Sequence, residues 1–369
     1  MAGADAGWDD ANIISDNRLL TFTGDTATDD KFDVTASLQK VNNVFNNQVV
    51  IGNVVDASLA GDKADAAQKF FENAVNSKYN ATDAAMVNAL NSAANMGELA
   101  GVSHGTYSMS NIMTDAVSKH LSLANHAEAD NDIWAHYVHN KEEIRDMDMG
   151  GMQGSYDMKY NGIVVGGDFY NKGKATAGVA LSYANGDVNS VGNSVSTKND
   201  AEYYGLSLYG RINNGDSSVT GDISYLHGKN DITQNNSGTK ITASPKSDAF
   251  SMGVRAEKAY TVGAGKLVPF AGLRYLHLGV GDYSNSLGMQ YNADDQNLWL
   301  LPIGVTYSHD IKAGDWTVRP LLEAGYVWTA GDRDTDQTVS LNGVSDGFGF
   351  NVADSGSFVG RFALEAEKA

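Results

Sequence analysis

Seven charged residues stand out for what their spacing could do. Arg255 and Glu257, Arg274, Arg319 and Glu323, and Arg361 and Glu365 sit among Gly, Ser and apolar residues. Within each pair the step is two or four, which keeps both side chains on one face of a strand. Two readings follow. Opposite charges on neighbouring strands can pair and stiffen a wall. Alternatively, the seven line a polar, water-filled passage. The sequence leaves both open.

Other constellations point to chemistry less well. Gly215-Asp216-Ser217 resembles the nucleophile block of one esterase class. It falls in a short turn, with no suitable Asp-x-x-His near the end, so catalysis is not expected. Asp332, Asp334 and Asp336 have the spacing of a calcium loop's first ligands. Gln337 occupies the place where Gly is needed and no Glu closes the loop, so a solvated acidic loop is expected. His136 and His139 are three apart, which on a strand sends them to opposite faces. Gly263 to Gly265 reads as a turn, not a phosphate loop. The chain has no Cys, so disulfides, Cys-ligated zinc and a Cys nucleophile are excluded. No cofactor or metal is expected. With 45 acidic against 26 basic residues, and a net charge of −19, a nucleic-acid binder is disfavoured.

The elements that must position the seven charges read as long strands. From about residue 133 the pattern has period two, in ten segments: Ile133–Asn140, Tyr156–Tyr170, Ala175–Asn185, Asp200–Ile212, Ser217–Asn230, Asp248–Val262, Lys266–Val280, Asn297–Ile311, Trp316–Ala330 and Ser357–Glu367. Most are longer than the five or six residues of an ordinary strand and match the ~9–11 that cross a membrane at a tilt. Tyr204, Leu206 and Leu208 alternate with Gly205, Ser207 and Tyr209; Met252 and Val254 alternate with Gly253 and Arg255. A soluble sandwich shares this alternation. Two features favour a barrel. The polar face mixes Gly and Ser with isolated Arg and Glu, as a narrow filled lumen would. The apolar face ends in Tyr183, Tyr260, Tyr275, Tyr307, Tyr326 and Trp328, like an interfacial girdle. The connectors also alternate. Those at 172–174, 213–216, 263–265 and 312–315 are short; Gly186–Lys198, Asp231–Ser247, Gly281–Gln296 and Gly331–Gly356 read as long polar loops. Short turns on one rim and long loops on the other are the habit of transmembrane barrels.

Upstream the texture differs. Arg18–Thr23 and Lys31–Thr35 read as short β pieces broken at Gly24-Asp25. Residues from about 37 to 125 read as helical. Asp65–Val75 carries one apolar stripe, Thr82 with Asp83 suits an N-terminus, and Met109 to Leu121 repeats at three and four after a thin stretch of Gly101, Ser103, Gly105, Ser108 and Ser110. Such a stripe packs on a core, or threads a narrow tube. No apolar run approaches the ~18 residues of a spanning helix, and Met1–Asp10 is not a secretory signal.

These residues carry a family resemblance. Asn47-Gln48-Val49-Val50 with Val54-Val55-Asp56, Ala89-Leu90-Asn91-Ser92 followed by Gly97-Glu98, and the run Ser110–Leu121 resemble successive helical pieces of the C-terminal translocator of autotransporters of the monomeric type. Gly162 to Phe169 resembles its second strand. Val268-Pro269-Phe270-Ala271-Gly272-Leu273-Arg274-Tyr275 resembles a further strand and is the most specific match. The resemblance runs from about residue 40 to the end. It implies a mainly β fold: an antiparallel transmembrane barrel of a twelve-stranded family, about ten strands present, with an α-helical linker threading the lumen. It implies passenger rungs in 1–36, a linker or junction in 37–130, and the barrel in 131–369. The family ends on an aromatic after two more strands, so a chain cut at both ends is expected. The function implied is an outer-membrane translocator, not an enzyme, carrying an N-terminally attached passenger to the bacterial surface. The implied partners are that passenger, outer-membrane lipid and lipopolysaccharide, the barrel-assembly machinery and periplasmic chaperones, with no nucleic acid, for a monomer. A porin-like channel and a soluble surface adhesin with a large antiparallel sheet are the alternatives.

Overall fold

A computed structural model describes residues 15–27, 31–61, 65–124, 133–192 and 194–368. It opens on an antiparallel hairpin, β1 (Leu20–Ala27) and β2 (Lys31–Leu38). The break expected at Gly24-Asp25 is not there. Gly24 pairs with Val34 and Asp25 with Asp33, because main-chain hydrogen bonds carry the ladder past residues of low strand propensity. The expectations for Met1–Asp10 lie outside the described residues.

Six helices follow: α1 (Val41–Val44), α2 (Gly52–Leu59), α3 (Ala66–Ala74), α4 (Asp83–Ala94), α5 (Met96–Leu99) and α6 (Val102–Leu121). Asp65 caps α3 by accepting from Gln68 N at 2.8 Å, and Thr82 caps α4 by accepting from Ala85 N at 3.2 Å. The thin stretch before Met109 is helical, and α6 includes it from Val102 onward. Enclosed by protein, that stretch has little water for its amides, and a helix satisfies them internally.

The remainder is β: β3 (Ile133–Asp148), β4 (Gln153–Lys172), β5 (Ala175–Ser190), β6 (Ser196–Asn214), β7 (Ser217–Asn236), β8 (Thr239–Ala243), β9 (Lys246–Lys258), β10 (Tyr260–Val262), β11 (Gly265–Val280), β12 (Tyr283–Ser284), β13 (Gln290–Ala293), β14 (Gln296–His309), β15 (Ile311–Ala313), β16 (Trp316–Gly331), β17 (Asp334–Leu341), β18 (Val344–Asn351) and β19 (Gly356–Lys368). Ten of these form one curled antiparallel sheet in the order β3-β4-β5-β6-β7-β9-β11-β14-β16-β19. Among the described residues no ladder joins β3 to β19. The tight turns on one rim place Gly173, Gly215, Gly263 and Gly314 at φ between 58° and 64°, a left-handed backbone that suits glycine.

The two faces of this wall are inverted relative to a soluble sheet. Near the short turns the outward residues are apolar and exposed: Val179, Leu181, Leu206, Leu208, Ile223, Met252, Val254, Leu273 and Leu301. The inward residues are polar and buried: Ser207, Ser218, Thr220, Asp222, Ser224, Ser251 and Thr306. A water-facing sheet would bury the first set; a lipid-facing barrel exposes it. Tyr183, Tyr204, Tyr225, Trp299 and Trp328 end the apolar band away from the short turns, with Tyr183 and Tyr204 rings 5.3 Å apart. Tyr260 and Trp316 lie at the short-turn end.

Beyond the aromatic belt the wall reverses phase. The outward row of β5 changes from Leu181 and Tyr183 to Asn185, Asp187 and Asn189, while the inward row becomes Ala184 and Val188. The outward row of β6 passes through Glu202, Asp200 and Lys198. That of β7 passes through Lys229 and Asp231, and Leu226 and Ile232 turn inward. This part obeys the rule of a soluble protein. The four connectors expected as long polar loops are largely strand. β7 runs on into the hairpin with β8, and β12, β13, β17 and β18 make a separate four-stranded sheet. Their inward apolar residues account for this. Ile232, Ile241, Leu287, Met289, Tyr291, Val339 and Leu341 share one buried cluster with Val54, Phe70, Phe71 and Leu90 of the helices. The helices and the hairpins therefore make a single cap over the long-hairpin rim.

Candidate functional site

α6 lies inside the curled sheet and packs against β6, β7, β9 and β11. Its small residues set how closely the wall approaches. A Cβ on Gly105 would lie 2.8 Å from the hydroxyl oxygens of both Tyr160 and Tyr203, which are buried with rings 6.0 Å apart. Opposite, a Cβ on Gly205 would collide with Met113 Sδ at 2.1 Å. The fit is steric at mid-helix and electrostatic toward the C-terminal turns, where Lys119 also complements the negative end of the helix dipole.

Four of the seven charged residues converge on this end. Arg361 Nη1 donates to Asp115 Oδ1 of α6 at 2.7 Å and to Glu323 Oε1 at 2.6 Å. Lys119 Nζ pairs with Asp115 Oδ2 at 3.0 Å. Arg255 Nε donates to Glu257 Oε1 at 2.7 Å, and its guanidinium lies 3.6 Å from the centre of the Phe270 ring. Glu257 accepts from Ser122 Oγ at 3.0 Å and from Leu123 N at 2.8 Å, just past the helix end. Arg274 and Arg319 have partners on the wall. Arg274 forks onto Asp222 at 2.6 and 2.8 Å, and Arg319 Nη2 donates to Asp310 Oδ2 at 3.1 Å. Glu365 stands opposite Arg319 in the β16–β19 ladder; its side chain lies outside what is described.

Sequence reasoning missed several partners. Arg211 Nη1 donates to the Leu121 carbonyl at 3.0 Å. His120 Nε2 lies 3.1 and 3.2 Å from the Asp168 oxygens, and its ring stacks on Trp134 at 4.5 Å. Tyr209 donates to Asp168 at 2.7 Å and accepts from Trp134 Nε1 at 2.7 Å. Near the outer end, Glu142 accepts from Ser108 and faces His104 Nε2 at 3.3 Å. Above the belt, Glu98 of α5 accepts from Ser103 Oγ at 2.9 Å. Burial pushes its carboxyl up to about 7, against that hydrogen bond and the nearby His104.

A family model, the autotransporter β-domain, matches residues 133–367, well over half of the chain. This chain belongs to that family. Autotransporter β-domains are transport modules of the outer membrane. Three solved structures are similar at low identity. The translocator domain of the autotransporter NalP from Neisseria meningitidis is 16% identical, with a TM-score of 0.48, over 70% of this chain and 97% of that one. The transport unit of AIDA-I from Escherichia coli is 14% identical, with a TM-score of 0.46, over 72% and 98%. The β domain of the Bordetella autotransporter BrkA is 12% identical, with a TM-score of 0.44, over 64% and 98%. No curated protein matches the sequence.

The remaining sequence candidates fall elsewhere in this autotransporter β-domain. Gly215 and Asp216 form the β6–β7 turn, outside the lumen, with Ser217 opening β7. Asp332 accepts from Asn297, and Asp334 from Asn351 at 2.8 Å, so two of the three acidic residues serve hairpin contacts. His139 Nδ1 lies 2.8 Å from Asn161 Oδ1 on the outside of the wall, while His136 lines the lumen cleft. Among the described residues no group of three or more His, Asp or Glu is placed to hold a metal ion.

Proposed function

We propose that this chain exports an N-terminally attached passenger through its barrel to the cell surface, leaving α6 in the lumen when export ends. The reading divides the chain into passenger rungs in 1–36, a linker in 37–130 and the translocator in 131–369. One observation carries it: a slim, polar-flanked helix occupies the space enclosed by a wall that is apolar outside and polar inside. A polar inner face offers an extended chain hydrogen-bonding groups without a deep apolar trap. The charges then hold the helix, with Arg361 and Glu323 gripping Asp115, and Glu257 gripping Ser122 and Leu123. Arg274 with Asp222 and Arg319 with Asp310 stiffen the wall itself. Lipid and lipopolysaccharide surround the exposed apolar band, the barrel-assembly machinery and periplasmic chaperones deliver it, and the unit acts as a monomer.

The test uses the full chain with an epitope at its N-terminus. Detergent-solubilised protein should migrate faster before boiling than after, and the epitope should be cut by protease on intact cells. A chain that stays soluble without detergent would identify the adhesin alternative. A heat-shifted band with a hidden epitope would identify a porin-like channel.

A further inference from the structure

An α-helix ends with four carbonyls that lack partners within the helix. In α4 the first of these, on Asn91, accepts from Asn95 N at 2.9 Å, and the other three are met by the wall. Gln234 Nε2 of β7 donates to the Ser92 carbonyl at 2.9 Å, Tyr291 Oη of β13 to Ala93 at 2.8 Å, and Gln337 Nε2 of β17 to Ala94 at 3.0 Å. One turn earlier, Asn236 Nδ2 donates to Ala89 at 2.8 Å. All four donors are essentially inaccessible to water. They come from three hairpins far apart in sequence. The last turn of α4 carries no basic residue that could do the same work. The helix is fixed from its other side as well. Asn91 accepts from Val50 N at 3.0 Å and donates to the Gln48 and Gly151 carbonyls at 2.8 and 3.2 Å, tying α4 to the β3–β4 turn. None of these groups takes part in the Asp115–Arg361–Glu323 or Glu257–Ser122 contacts that hold α6. The α4–α5 joint from Leu90 to Val102 is buried throughout.

We propose that β7, β13 and β17 form a socket for the C-terminal turn of the chain's own α4. Seating that turn shuts the outer mouth of the barrel independently of α6. Export would then end in two separate closures, one at the surface and one in the lumen. This rests on the translocator reading above. The donors are neutral amides and a phenol, so the socket accepts a helix end presenting bare carbonyls. An extended segment in transit would not offer three consecutive carbonyls in that geometry.

The test compares full-length variants in planar bilayers. Gln234→Glu with Gln337→Glu replaces two donors by groups that cannot donate when ionised. Arg361→Ala with Glu323→Ala removes the grip on Asp115, loosens the lumen helix and leaves the socket intact. The socket variant should keep the heat-shifted band, spend about tenfold or more additional time in ion-conducting states, and become protease-sensitive between residues 65 and 95 on intact cells. The lumen variant should stay closed. A socket variant as closed as the parent, or a lumen variant that opens fully by itself, overturns the proposal. If the double Glu variant gives no heat-shifted band, Tyr291→Phe, which removes one donor and keeps the shape, decides on the same conductance reading. A parent chain with no heat shift would instead sink the translocator reading.

Discussion

Replacing Glu98 by Gln should make the cap more stable at neutral and alkaline pH and leave it unchanged in acid. Glu98 lies in α5, above the aromatic belt, and is buried. Its carboxyl is pushed up to about 7, chiefly by burial. An unfolded Glu ionises near about 4.3. The folded value is the higher, so folding favours the protonated form. Below about pH 4 the group is protonated in both states and exacts no penalty. From there to about pH 7 the open state ionises first, and stability falls by about 1.4 kcal/mol per unit. Above about pH 7 the loss levels off at about 3 to 4 kcal/mol. Gln still accepts from Ser103 but never ionises, so the variant escapes that slope. Amide hydrogen exchange of Met96 to Thr106, measured for parent and variant side by side, cancels the intrinsic pH dependence of exchange. The protection ratio of variant over parent should rise about a hundredfold between about pH 5 and about pH 8. An unchanged ratio would refute the premise that opening this joint brings a buried carboxyl into water.

Two further substitutions probe the wall. Gly105→Ala gains about 1 kcal/mol of helix propensity but forces two buried tyrosine hydroxyls to move, at about 1–3 kcal/mol, so the net effect is destabilising. The temperature at which the compact gel form is lost should fall, and Tyr160→Phe in the same chain should restore part of it; no rescue would mean that the hydroxyl contact is not the cause. Leu206→Arg faces the apolar band and should cost about 2–4 kcal/mol in lipid vesicles, whereas Asp200→Arg on the same outward row, beyond Tyr204, should cost about 0–1 kcal/mol. Equal losses on denaturation in urea would mean that the belt is misplaced.

The wall was legible because its alternation is strict where lipid enforces it. Leu206 and Leu208 must face out, so Ser207 and Tyr209 face in, and the placement of Arg255 and Glu257 follows from the same rule. Their partners were less legible. Asp222 sits in the inward row of β7 with Ser218, Thr220 and Ser224, and period two could have found it. Asp115 and Lys119 are four apart on a helix, but nothing local shows that Arg361, far along the chain, turns toward them. The cap was hidden for another reason. Above the belt the apolar residues change rows, so a reading that followed one phase ended several strands within a few residues of their aromatics. Ser237-Gly238 and Asn342-Gly343, with both residues of each pair at positive φ, are the two-residue turns of hairpins, and they were the available sign that strands continue on either side.

The change of phase at the aromatic belt also fixes a height. β7 continues from Tyr225 to Asn236 beyond the level where its outward row stops being apolar. At about 3.3 Å per residue and a tilt near 40°, that length lifts the rim by roughly 28 Å. Displacing the wall inward by one pair of residues would drag Glu202 into hydrocarbon, and by two pairs Asp200 and Lys229; displacing it outward would strand Leu181 and Leu206 in water. The barrel is thus locked vertically from both directions. Its rim stands not at the membrane surface but well above it, so under the export proposed above the passenger would begin to fold clear of the headgroup layer.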